Sequence, residues 1–224
     1  MEIVKAKTAG FCFGVDRAVK LTYDLLEKGN KISTLGPLIH NPQCVADLEA
    51  KGAVTANSPE DIPEGYEVII RSHGVSEQVE HQLKQKCKKV HDATCPFVAK
   101  IHRIAKQAET EGKTLLVAGN PQHPEVEGIV GHSAGEVFVF ENLQQLEEIS
   151  TPEICEKGVF VVAQTTFQVT KWLECAEFIK KVYTNAKIFD TICNATLARQ
   201  EEAEELSRRC DLMVVIGGRH SSNT

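Results

Sequence analysis

The 224-residue sequence contains no run of about 18 uncharged apolar residues, no long basic tract and no CxxC pair. The first absence excludes a membrane-spanning helix. The second makes nucleic acid a poor partner for a chain whose formal net charge is −6. The third removes the usual signatures of zinc ribbons and thioredoxin-like redox sites. The opening stretch, MEIVKAKTAGFCFGVDRAVK, scatters lysines and an aspartate among its apolar residues and reads as neither signal peptide nor membrane anchor. A cytoplasmic protein with no membrane partner is expected. A hydrophobic content of 42% and a charged content of 25% are those of a globular chain, long enough to bury a sizeable core.

Against these absences stand eight cysteines, at positions 12, 44, 87, 95, 155, 175, 193 and 210. In a reducing compartment they are not expected to form disulfides, and their spacing separates three from the rest. KAKTAGFCFGVDRAVK, KVHDATCPFVAKIHR and KIFDTICNATLARQE each run into a cysteine (Cys12, Cys95, Cys193) and continue as a helix-like stretch. A step of 28 residues from each leads to His40 in ISTLGPLIHNP, His123 in LLVAGNPQHPE and Ser221 in LMVVIGGRHSS. Each of these is an apolar strand, a glycine-containing turn and a polar loop. A third unit follows in the first two repeats: EVIIRSHGVSEQVEHQLKQ, and GVFVVAQTTFQVTKWLECAEFI.

Strand, loop and helix repeated in this way predict right-handed βαβ units, parallel sheets and ligands beyond the carboxyl ends of the strands. Three α/β domains are expected: 1–95, 96–190 and a third, 191–224, that looks incomplete. A pseudo-threefold arrangement would bring Cys12, Cys95 and Cys193 to one point. Three thiolates with no fourth in register fit an iron–sulfur cluster that leaves one iron open. Zinc with three cysteines and a histidine, or three cysteines at equivalent packing positions, remain alternatives. Cys44, Cys87, Cys155, Cys175 and Cys210 break the register and read as inert.

GFCFGV, LGPLIHNPQ, RSHGV, DATCPFV, GNPQHPEVEG, AQTT, DTICNAT and GGRHSSNT occur in this order along the whole chain. Together they resemble the LytB/IspH family, the 4-hydroxy-3-methylbut-2-enyl diphosphate reductases of the non-mevalonate isoprenoid pathway. The resemblance implies a cloverleaf of three α/β domains around one [4Fe–4S] cluster per chain. It also implies reductive loss of the allylic hydroxyl, with two electrons and two protons, to give isopentenyl and dimethylallyl diphosphates. By position it assigns Cys12, Cys95 and Cys193 to the cluster. It assigns His40, His73, His123, Ser221, Ser222 and Asn223 to the diphosphate, Glu125 to proton delivery, and Thr165 to the support of Glu125 and the substrate hydroxyl. Reduced ferredoxin or flavodoxin is the implied electron donor. Cys44 departs from the family's usual aliphatic residue, and Arg219 stands near its usual lysine.

The chemistry is coherent without the likeness. Loops rich in histidine, serine and asparagine suit a small enclosed diphosphate. Glu125 could simply cap a helix, but a shielded carboxyl with a raised pKa could supply the proton that a departing hydroxide needs. His81, His91, His102 and His132 are expected to be solvated. Among competing readings, an iron–sulfur hydro-lyase or quinolinate-synthase-like enzyme would favour arginines in the pocket, and only Arg71 and Arg219 adjoin the motifs. An iron–sulfur sensor would need neither Glu125 nor so many anion donors. The third repeat stops after its histidine-loop unit, so the sequence is expected to be a fragment of a longer chain.

Overall fold

The computed structural model describes residues 2–218 and Ser221. Ser222, Asn223, Arg219 and His220 lie outside the described residues, so the expectations placed on the first two concern residues not described.

Two four-stranded, all-parallel sheets carry the fold. The first joins β1 (Ile32–Leu35), β2 (Val54–Ala56), β3 (Glu67–Ile70) and β4 (Val90–Asp92) in the order β2-β1-β3-β4. The second joins β5 (Thr114–Ala118), β6 (Val137–Phe140), β7 (Val159–Ala163) and β8 (Ala186–Ile188) in the order β6-β5-β7-β8. The two orders are the same pattern, four strands apart. Central strands of a sheet covered on both faces cannot alternate polar and apolar residues. Accordingly ISTL, TLLVA and VFVVA are buried at every position. Where ISTL must bury a hydroxyl, Ser33 Oγ donates to the Val54 carbonyl at 2.9 Å.

Helices follow the strands as the repeat requires. α1 (Phe13–Glu27), α4 (Pro96–Thr110) and α9 (Asn194–Arg209) each begin directly after one of the three cysteines, which occupies the N-cap position. Pro96 sits at the first turn of α4, where its missing N–H costs nothing. The other helices are α2 (Pro42–Ala50), α3 (Glu77–Lys86), α5 (Pro124–Val130), α6 (Leu143–Ile149), α7 (Pro152–Glu156) and α8 (Val169–Val182). Each sheet is packed on both faces: in the first, Ala18, Ile32 and Ile69 gather on one face and Leu35, Val68 and Leu83 on the other; their counterparts in the second are Ile101, Leu115 and Val162, and Leu116, Val161 and Trp172.

The structure corrects the sequence reading in three places. β2 and β6 extend each sheet by a strand that the repeat did not mark; both are short, and β2 is only partly buried. The run before Cys12 forms no strand. Leu212–Ile216, the third apolar run, is not a strand either: no strand of the described residues lies beside it, and Leu212 and Ile216 are 79% and 92% exposed. Of α9 only Thr196 is buried. No helix among the described residues is long and apolar enough to cross a membrane.

Candidate active site

In a parallel sheet the crevice for a ligand opens where the strand order reverses, at the carboxyl ends of the two strands that run away in opposite directions. That point lies between β1 and β3 in the first sheet and between β5 and β7 in the second. His40 follows β1, His73 follows β3, His123 follows β5 and Thr165 follows β7. The marked residues therefore stand at both switch points.

The structure brings His40, His73 and His123 together, with ring centroids 4.9, 5.8 and 5.4 Å apart in the three pairs. One ring nitrogen of each lies within 4.8 Å of the others. Such a trio could hold a cation, but the hydrogen bonding of His123 favours an anion. His123 is the N-cap of α5, and its Nδ1 accepts the backbone N–H of Glu125 at 3.1 Å. An imidazole whose Nδ1 accepts carries its proton on Nε2 when neutral, so that nitrogen donates rather than ligates. Burial, reinforced by the Arg71 guanidinium and the other two histidines, holds His73 well below the usual histidine range. Burial first, then His40 and Arg71, lowers His123 to about 4.

Glu125, in the first turn of α5, is only 2% exposed. The Thr165 backbone N–H donates to its Oε1 at 2.6 Å, and the Thr165 hydroxyl to its Oε2 at 2.7 Å. Burial raises its pKa to about 7 against the pull of those two bonds. Near neutrality the carboxyl therefore exists in both protonation states.

Cys12, Cys95 and Cys193 are half-buried, and none has a side-chain capping bond. Gly14 leaves the room between two of the corners: a Cβ there would stand 2.7 Å from Cys95 Sγ. Burial pushes the Cys95 thiol up, the Phe97 and Val98 N–H groups pull it down, and the neighbouring Cys12 and Cys193 push it up again. Three neighbouring thiols at three helix starts, none of them capping its helix, form a donor set suited to a metal. A single zinc would draw its sulfurs to about 4 Å of one another, whereas these three do not all meet within 4.8 Å, among the described residues a distance reached only by the histidine trio. The residues fit a cluster better than one ion. Backbone bonds fix two corners in the same way: Cys95 N–H donates to Ser72 O at 2.9 Å, and Cys193 N–H to Thr165 O at 3.0 Å.

A cavity of about 460 Å³ is lined by Cys12, His40, His73, His123, Glu125 and Ser221. Its far wall is made by the N-terminal strap, Ala6–Cys12, and by Arg199 of α9. Glu202 clasps that strap, accepting the N–H groups of Lys7 and Thr8 at 2.7 and 2.8 Å and the Thr8 hydroxyl at 2.5 Å. Arg199 donates to the carbonyls of Thr8 and Gly10 at 3.2 and 2.6 Å. Sequence reading missed both residues, for nothing local in a polar helix marks a partner nearly 200 residues away.

Of the remaining histidines His81 is exposed as expected, while His91, His102 and His132 differ from expectation. His102 is 7% exposed and stacks on His132 at 4.0 Å, and His91 bonds Glu67 at 2.6 Å. His102 stands on the apolar stripe of α4 with Val98, Ile101, Ala105 and Ala108, a helical phase visible in the sequence. Cys155 and Cys175 are buried, and burial pushes the Cys44, Cys87, Cys155 and Cys175 thiols up.

Comparison with known proteins gives a consistent answer. The profile of the family described as LytB protein matches residues 3–224. A 4-hydroxy-3-methylbut-2-enyl diphosphate reductase of Clostridioides difficile is 43% identical over 225 residues, covering 100% of this chain and 80% of the relative. One from Helicobacter pylori is 39% identical, with 100% and 79% covered. A solved structure of (E)-4-hydroxy-3-methyl-but-2-enyl diphosphate reductase, described as the terminal enzyme of the non-mevalonate pathway, is 41% identical. Its TM-score is 0.77, with 99% of this chain and 78% of that one covered. The E-1-hydroxy-2-methyl-but-2-enyl-4-diphosphate reductase of Plasmodium falciparum is 29% identical at a TM-score of 0.88, with 96% and 68% covered.

Proposed function

Because the chain belongs to the LytB protein family, we propose that it reductively removes the hydroxyl of 4-hydroxy-3-methylbut-2-enyl diphosphate. The products are isopentenyl and dimethylallyl diphosphates. The observation that carries the reading is the buried Glu125–Thr165 pair beside three clustered histidines in one cavity. A sensor would have no use for it.

The diphosphate is held by His40, His73, His123 and Ser221, with Ser222 and Asn223 completing the set. His123 presents Nε2–H because Glu125 N–H occupies its other nitrogen, and charge-assisted bonds of this kind contribute about 1.5–3 kcal/mol each. Glu125 delivers the proton with which the hydroxyl leaves as water. Thr165 holds both carboxylate oxygens, so on protonation its hydroxyl turns from donor to acceptor and its own proton is freed. Cys12, Cys95 and Cys193 would hold a [4Fe–4S] cluster, which when bound would supply the electrons and Lewis acidity. The two electrons come from a one-electron carrier such as reduced ferredoxin or flavodoxin.

The test is anaerobic reconstitution, iron and sulfide analysis, and turnover of the hydroxylated diphosphate with a chemical reductant. Four irons per chain with formation of the two C5 diphosphates is the expected result. A loaded protein that binds the substrate and releases it unreduced would sink the reading.

A further inference from the structure

We propose that Arg71 is the fixed cation of the diphosphate pocket, a positioning residue that stands behind the histidines and holds the His40 turn in place. The inference rests on the diphosphate reading above.

Arg71 directly follows β3, and its side chain crosses to the end of β1. There the guanidinium lies against Gly36, in the LGPLIH turn that leads to His40: a Cβ on Gly36 would stand 2.5 Å from Nη1 and 3.2 Å from Cζ. Gly36 has φ +70°, so the turn is both bent by a glycine and floored by the arginine. The same charge stands beside His73 and His123. Its Nε is buried without a hydrogen-bond partner. Glu127 on α5 is the acid that acts on it, yet the two form no ion pair among the described residues, and Glu127 is exposed.

A half-buried guanidinium keeps its proton, and leaving its buried Nε without a partner is costly. The cost has a return if the site's ligand is an anion. His73 and His123, whose burial disfavours the charged form, supply donors without net charge, so a diphosphate entering the cavity gains from a permanent cation close by. Among the described residues lining the cavity, the arginine is Arg199, already engaged by the carbonyls of Thr8 and Gly10. Arg71 supplies the uncommitted charge.

The experiment is titration of the reconstituted chain with inorganic diphosphate at low and at physiological salt, for Arg71→Met, Arg71→Lys and Glu127→Gln. Arg71→Met should weaken binding tenfold or more, about 1.4 kcal/mol per factor of ten, and flatten its salt dependence. Arg71→Lys should restore most of that dependence. Glu127→Gln should tighten binding by about two- to threefold, because it removes an opposing field. That sign separates a field from a strut, since a merely structural pair would loosen the site when either partner is lost. With Arg71→Met, KM should rise while kcat holds. Arg71→Met binding like the wild type, or Glu127→Gln binding more weakly than it, overturns the proposal; if Arg71→Met does not fold, the Glu127→Gln result decides alone. Failure of the wild type itself to bind diphosphate sinks the proposed function, and this inference with it.

Discussion

The two halves of the molecule use one scaffold for different chemistry. Gly36 and Gly119 end β1 and β5, and their N–H groups donate to the ends of β2 and β6, at Ala56 O and Phe140 O, 2.6 and 2.9 Å away. Past these equivalent points the loops diverge by one residue. In the first half Asn41 caps α2 and His40 precedes the cap. In the second His123 is the cap, its Nδ1 consumed and its tautomer thereby set. After β3 the first half offers His73. After β7 the second offers Thr165, whose bonds lock Glu125. Under the proposed roles, a duplicated fold keeps its hydrogen-bonded frame, places anion-binding histidines in both halves and adds the proton supply of Glu125 in the second alone. The change lies in side chains at switch points, where the backbone is already held.

The sharpest break of this comparison is at the cysteines, which both halves and α9 share. Changing Cys12, Cys95 or Cys193 to serine should remove nearly all cluster iron, while Cys44→Ser or Cys175→Ser should leave it intact. Equal iron content across all five would end the three-cysteine assignment.

A smaller but specific effect belongs to the second half. Glu125→Gln should retain the cluster and bind diphosphate within a few-fold of wild type, yet lose at least about two orders of magnitude in turnover, the scale of general acid catalysis. Wild-type turnover should fall as pH rises through about 7, where the buried carboxyl loses its proton. Stability carries the same sign. A folded pKa raised above that of the unfolded chain gives stability that is full below about 4.5 and is lost as pH rises toward 7, on the order of 3 kcal/mol. Burial of His123 acts oppositely, its contribution being lost as pH falls below 6.5 toward about 4. Urea midpoints against pH in wild type and Glu125→Gln would separate the two, and a slope that persists unchanged in the variant would refute the Glu125 account.

The finest test sets Gly36→Ala against Gly119→Ala. The first forces a Cβ onto a backbone at φ +70° and into Arg71; the second meets Val126 Cγ2 at 2.7 Å, at the base of the helix that carries Glu125. Gly36→Ala should destabilise by about 1–2 kcal/mol and raise KM several-fold. Gly119→Ala should lower kcat instead. The same KM and kcat pattern in both variants would erase the division between the halves.

Much of this was legible before the fold was known. The 28-residue step from Cys12 to His40 and from Cys95 to His123 is the length of a helix, its return and a strand, and parallel topology translates that spacing into position. The Glu125–Thr165 bond could only be expected from resemblance, since two residues 40 apart carry no spacing signal of their own. β2 and β6 escaped because three or four residues of mixed exposure have too little periodicity to declare a strand. The partial burial of His91 and the burial and stacking of His102 were missed by weighing polar neighbours over helical phase and cross-strand partners.

The clasp between the N-terminal strap and α9 has a consequence in time. Thr8 is made well before the carboxylate that fastens it, Glu202, which lies 194 residues further on. At about 5–20 residues per second, roughly 10–40 s separate the two. Contacts of such long sequence separation are also the slowest to form in folding. The Cys12 corner therefore stays unfastened while the two sheets are already assembling. Under the proposed cluster assignment, iron delivered before Glu202 is made would meet the Cys95 corner beside an assembling sheet and Cys12 on an unfastened strap.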